Sequence, residues 1–194
     1  MKKLIALILL AAAIALAASS CPKQAAREKP YGPEVTPGGG AGAPKTMEAV
    51  ALGPGAPEVG KPMPDVQFTS LDGKVHKISE FKGKVVFVNF WGTWCPPCVK
   101  EMPDLISLYN ENQAKGFQLV GIATKPDDLA ALKAYNDKNH VPYLLAMGSD
   151  ALMSQFGFGG VPTTLVIDKS GTVREMMIGK KDKAFFEGLL KKYI

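Results

Sequence analysis

The sequence predicts an α/β fold in which a central mixed β-sheet carries helices on both faces, preceded by an N-terminal β-hairpin. Three observations carry this. The runs Val85-Val86-Phe87-Val88-Asn89-Phe90-Trp91 and Phe117-Gln118-Leu119-Val120-Gly121-Ile122-Ala123 are apolar almost throughout, as strands buried on both faces must be. Segments of helical period alternate with them, the signature of helices packed over a sheet. The alternation then gives way to a strand hairpin and one amphipathic helix at the end of the chain.

In order, Val66 to Phe68 and Val75 to Ile78 alternate with period two around Asp72-Gly73, which reads as the small hairpin. The strand 85–91 leads into a helix from about Pro97 to Lys115, which Gly116 stops before the strand 117–123. Pro126, Asp127 and Asp128 open a further helix to about Asn139, since proline and acidic residues suit a first turn. A short strand (143–147), a short helix (150–156) and a strand (163–167) follow. The turn Asp168 to Gly171 joins that strand to its hairpin partner, 172–178. In the terminal helix 182–193, Phe185, Phe186, Leu189 and Leu190 read as one apolar stripe.

With 194 residues the chain suits one domain plus appendages. Met1-Lys2-Lys3, an apolar run from Leu4 to Ala18 and the small residues Ser19-Ser20 have the layout of an export signal over residues 1–20. The run falls short of the ~20 residues that span a bilayer, although an uncleaved anchor is the competing reading. Removing Lys2 and Lys3 lowers the formal net charge from +5 to +3, far from the dense basic footprint of a nucleic-acid binder. From residue 21 to 57 the sequence is rich in Pro, Gly and Ala, with too few large apolar residues to offset ordering entropy. It reads as a flexible linker, leaving 58–194 as the folded domain.

Leu16-Ala17-Ala18-Ser19-Ser20-Cys21 resembles a bacterial lipobox, with Ala18 where such motifs usually carry leucine. That resemblance implies lipid attachment at Cys21 and a protein anchored to a membrane at its extracytoplasmic face, in the periplasm or cell envelope. Several acyl chains give stable anchoring where one gives marginal binding. An ordinary free cysteine is the alternative.

Cys95-Pro96-Pro97-Cys98 lies where a buried strand meets a helix. The first thiol then faces unpaired backbone N–H groups and the positive end of the helix dipole, which stabilise a thiolate. The second, one turn along, can close a disulfide or resolve a mixed disulfide. Cys95 is the expected nucleophile and Cys98 the resolving thiol. A zinc site would need further ligands, and only His76 and His140 remain in this part of the chain, neither at ligand spacing. No metal and no cofactor is expected.

The segment from Val88 through Trp91-Gly92-Thr93-Trp94 and the cysteines to Glu101-Met102-Pro103 resembles the active site of thioredoxin-like thiol:disulfide oxidoreductases of the TlpA and ResA type. The likeness covers about 60–194 and implies a thioredoxin-like fold. It implies reduction of protein disulfides, for example in apocytochrome c awaiting haem, with electrons from a membrane thiol-transfer protein of the DsbD/CcdA type. In Gly160-Val161-Pro162-Thr163 it implies a cis proline at Pro162, beside the disulfide, and at Pro103 a helix kink. Asn89 stands where cytoplasmic thioredoxins carry a buried acid and cannot take a proton. The resemblance places Glu101, three residues beyond Cys98, in that role, with an exposed helix glutamate as the alternative. Trp91, Trp94, Pro96, Pro97 and Val161 are expected around the site, although the tryptophans could equally be core.

The same parts could run as a thiol oxidase, because direction depends on the redox state that the fold stabilises. A thiol peroxidase of the peroxiredoxin kind fits less well, since Gly92 and Val88 occupy the places of its threonine and proline. A copper-delivery module would resemble a CxxxC pattern with an added histidine.

Overall fold

A computed structural model of the chain describes residues 48–194. The export segment, Cys21 and most of the expected linker lie outside the described residues. Eight strands form one mixed sheet: β1 (Glu48–Ala51), β2 (Val66–Thr69), β3 (Val75–Lys77), β4 (Val85–Trp91), β5 (Phe117–Ala123), β6 (Leu144–Gly148), β7 (Thr163–Ile167) and β8 (Val173–Ile178). Their order is β3-β2-β1-β6-β5-β4-β7-β8. The pairs β1/β6, β6/β5 and β5/β4 are parallel, and the remaining pairs antiparallel. Four helices accompany the sheet: α1 (Pro96–Asn112), α2 (Leu129–Asn139), α3 (Asp150–Phe156) and α4 (Lys183–Tyr193).

Alternate residues of β4 divide the core. Val85, Phe87 and Trp91 point into one layer with Met102, Leu105 and Leu108 of α1, Leu132 of α2, and Phe186 and Leu190 of α4. Val86, Val88 and Phe90 point into the other with Leu152 and Phe156 of α3 and with Ile78 and Phe81 of the turn of 3-10 helix after β3. The apolar runs therefore mark strands covered on both faces. Gly116, at φ 86°, adopts the left-handed conformation after α1 and its 3-10 extension, which ends the helix where expected.

Three expectations need correction. The linker does not reach residue 57, because Glu48–Ala51 forms β1, which joins the β2–β3 hairpin to β6. Flanking Pro and Gly mask so short a strand, and its pairing partner β6 lies about a hundred residues away. Pro126 does not open α2. The helix is capped by Asp128, whose carboxylate accepts from the Ala131 N–H at 2.8 Å, and the Lys125–Pro126 peptide is cis. Phe185 does not share the buried stripe of α4: it is exposed beneath the Lys181 ammonium, whereas Phe186 is fully buried.

The two phenylalanines should separate in a denaturation experiment. Phe186→Ala should cost about 3–5 kcal/mol, as truncation of a buried aromatic does. Phe185→Ala should stay within about 0.5 kcal/mol of the parent. Equal losses measured in urea would contradict this placement of α4.

Candidate active site

The run of β4 ends at Trp91, and the chain turns through Gly92-Thr93-Trp94 before α1 begins. A hydrogen bond from the Cys95 N–H to the Gly92 carbonyl (3.1 Å) closes that turn. The lack of a Cβ at Gly92 lets the Trp94 indole lie over this turn, since a Cβ would fall 2.4 Å from its Nε1 and displace the ring. Cys95 is the N-cap of α1, its Sγ accepting from the Cys98 N–H at 3.3 Å, and Pro96 and Pro97 fill the first turn, where missing N–H groups do no harm. Cys95 and Cys98 are joined by a disulfide, with Cα atoms 5.2 Å apart.

Both sulfurs are largely covered, Cys95 being 3% and Cys98 1% exposed. Pro96 and Pro97 are exposed beside them, and Val161 is half-buried. The Val161–Pro162 peptide is cis, and the Val161 carbonyl oxygen lies 3.7 Å from Cys95 Sγ. Pro162 is buried, and its carbonyl accepts from the Gly179 N–H at 2.8 Å.

The two tryptophans part company. Trp94 is 47% exposed and donates from Nε1 to the Thr124 carbonyl at 3.3 Å, so it borders the site. Trp91 is fully buried in the core, edge-on to Tyr135, and is no surface rim. Strand alternation accounts for the difference: Trp91 continues the inward series of Val85 and Phe87, whereas Trp94 lies past the strand end.

Glu101 is 1% exposed, so the exposed-glutamate alternative fails. Its Oε1 accepts from Asn89 Nδ2 at 3.1 Å and its Oε2 from the Lys181 backbone N–H at 2.8 Å. Asn89 also donates to Thr164 Oγ1 at 3.0 Å, its direct partner in the β4–β7 register. Asn89 thus holds the acid rather than replacing it. Burial raises the Glu101 carboxyl from 4.5 to about 6, against the lowering effect of the Lys181 N–H, the Asn89 amide and the nearby Lys180 charge. Pro103 is exposed within α1.

Neither histidine belongs to the site. His76 stacks on Phe68 and pairs through Nδ1 with Glu80 at 2.6 Å, and His140 caps the C-terminus of α2 in the left-handed region. Sequence reasoning missed three contributors. Thr164 and the Lys181 backbone reach Glu101 and its partner from strands and loops remote in sequence. Asp127, read as a helix opener, instead accepts from the Thr93 N–H (2.7 Å) and Oγ1 (2.6 Å).

Residues 58–190 match the family model described as Redoxin. The chain belongs to the Redoxin family. This Redoxin chain is 38% identical over 136 residues to the thiol-disulfide oxidoreductase ResA of Bacillus thuringiensis (strain Al Hakam), covering 70% of this chain and 78% of that protein. To the thiol:disulfide interchange protein DsbE of Pseudomonas aeruginosa it is 39% identical over 130 residues, covering 64% and 69% of the two chains. A solved thiol:disulfide interchange protein of the thioredoxin family from Chlorobium tepidum TLS superposes with a TM-score of 0.64 at 34% identity, over 69% of this chain and 95% of that one. The Redoxin chain therefore has a thioredoxin-like fold and is a thiol-disulfide oxidoreductase of the ResA and DsbE type, with Cys95 and Cys98 as its CxxC pair.

The raised Glu101 carboxyl sets a pH dependence of stability. The folded chain holds this proton more tightly than the unfolded chain, so the resulting stabilisation is full below about 4.5 and is lost as pH rises to about 6. Glu101→Gln lacks the titration and can keep the contacts: its oxygen accepts from Lys181, and its amide donates to a flipped Asn89. The parent should therefore lose stability relative to Glu101→Gln between about pH 4.5 and 6, read as denaturation midpoints across pH. Parallel curves for the two proteins would contradict a buried, titrating Glu101.

Proposed function

We propose that this oxidoreductase works as a reductase of protein disulfides outside the cytoplasm, held to a membrane by lipid on Cys21. The observation that carries the chemistry is the pairing of Cys95, at the N-cap of α1 beside the exposed Pro96 and Pro97, with Cys98 in the first turn of that helix, one helical turn from a buried acid. In the dithiol form the Cys95 thiolate attacks one sulfur of the substrate disulfide, and the other substrate sulfur leaves as a thiolate. Cys98, deprotonated, then attacks Cys95 Sγ, releasing the second substrate thiolate and closing the Cys95–Cys98 disulfide. Two electrons have passed to the substrate, and a donor dithiol must return them.

Burial in apolar surroundings disfavours the Cys98 thiolate, so the second attack needs a proton acceptor. Glu101 lies on the same side of α1, and a carboxyl at about 6 is mostly ionised at neutral pH while remaining basic enough to take a proton. The Glu101→Gln variant, followed by stopped flow, should keep the first attack and slow the second with an altered pH profile; an unchanged profile would remove Glu101 from the mechanism.

Reduction is favoured over oxidation by the similarity to ResA and DsbE. Apocytochrome c is the proposed substrate class, and a membrane thiol-transfer protein of the DsbD/CcdA type the proposed donor. The decisive biochemical test is paired. Cys95→Ser should abolish insulin reduction, and Cys98→Ser should accumulate mixed disulfides because only resolution is lost. Equal trapping by both variants would exchange the two roles.

Anchoring has a separate test. In cells, Cys21→Ala should move the protein out of the membrane fraction if the acyl chains are its tether. Retention in that fraction would instead favour an uncleaved N-terminal anchor.

A further inference from the structure

Two loops meet at the disulfide end of the sheet, 92–94 after β4 and 124–128 after β5. The Thr124 N–H and Oγ1 both donate to the Trp91 carbonyl, at 2.8 and 3.1 Å, and the Trp94 indole donates back to the Thr124 carbonyl. The strongest link is Asp127, whose two carboxylate oxygens are both engaged by Thr93. Thr93 lies inside the turn closed by Cys95 on Gly92, two residues before the nucleophile.

Asp127 is only 5% exposed. A carboxylate removed from water needs strong compensation, and here two neutral donors from one residue supply it. Its neighbours do other work: Lys125 pairs with Glu48 at 3.4 Å, and Asp128 caps α2. Among the described residues Asp127 forms no ion pair. The helix that follows therefore does not need this charge, and no cation of the described residues pairs with it. What the carboxylate holds is the turn that presents Cys95.

A negative charge close to a thiol disfavours the thiolate. Stabilising the thiolate of the reduced form makes a CxxC couple more oxidising, so a charge that disfavours it shifts the couple the other way. We propose that Asp127 is a positioning residue for the Cys95/Cys98 couple, fixing the turn before Cys95 through Thr93 and shifting the couple in the reducing direction with a buried charge that is hydrogen-bonded but not paired with a cation among the described residues. This deepens the reductase reading and rests on it.

The test separates charge from hydrogen bonding. In Asp127→Asn the amide oxygen can accept from the Thr93 N–H and the amide nitrogen can donate to Thr93 Oγ1, so the turn is kept and the charge removed. The full chain is equilibrated with glutathione redox buffers, and the dithiol and disulfide forms are counted after thiol alkylation. Asp127→Asn should favour the dithiol by about threefold to tenfold, tenfold being ~30 mV for two electrons, with an unchanged denaturation midpoint. Thr93→Val removes one donor and leaves the charge less shielded, so it should shift the equilibrium the opposite way, and it decides the matter if Asp127→Asn fails to fold. A constant within about twofold of the parent in a folded Asp127→Asn, or a Thr93→Val shift toward the dithiol, overturns the proposal. The parent's own constant tests the reductase reading separately, so a failure of that reading is distinguishable from a failure of the role given to Asp127.

Discussion

The site depends on the burial of β4 on both faces, between parallel β5 and antiparallel β7. Every residue of this strand is covered, so neither its register nor its facing can slip without moving one core layer into the other. The strand ends at Trp91, locked edge-on to Tyr135, and four residues later Cys95 caps α1. A rigid strand thus fixes the start of a helix, and the helix start supplies the N–H that Cys95 Sγ accepts. Placement of Cys95 follows from core packing rather than from contacts among surface groups.

Within that apolar strand Asn89 is the exception, and its partners explain why it is tolerated. Its amide donates to Glu101 and to Thr164, so neither donor is stranded in the core. Glu101 in turn takes the Lys181 N–H, leaving both carboxylate oxygens hydrogen-bonded. Three elements, β4, α1 and the loop before α4, meet on one acid. Burial outweighs these donors, and the carboxyl stays raised. That balance keeps a proton-accepting group inside the protein without a neighbouring acid on β4.

Much of this was legible in the sequence because its signals are local. The two runs of apolar β-formers, the Asp72-Gly73 turn and Gly116 each act over a few residues, and the CxxC at a strand–helix junction states its own chemistry. The residues that escaped depend on distant partners. Glu48–Ala51 becomes a strand between two partners, β2 nearby and β6 a hundred residues on. Asp127 and Asp128 are identical by type and adjacent, and one caps α2 while the other crosses to Thr93. Phe185 and Phe186 fit the same stripe on a helical wheel, yet α4 turns only one of them inward.

The loop from Gly179 to Lys181 adds a last step. Its Gly179 N–H binds the carbonyl of Pro162, and its Lys181 N–H binds Glu101. The proline lies in the segment against Cys95, and the acid is on the side of α1 that carries Cys98. One short backbone segment therefore ties the loop bordering Cys95 to the buried acid on the helix that carries Cys98. Backbone N–H groups do this without contributing a formal charge, so the charged side chains at this end of the sheet are few: Glu101 on α1, Lys180 at the surface near it, and Asp127 behind the turn. Neutral backbone donors thus hold the proline loop and the buried acid in register with the disulfide without adding a charge beside it.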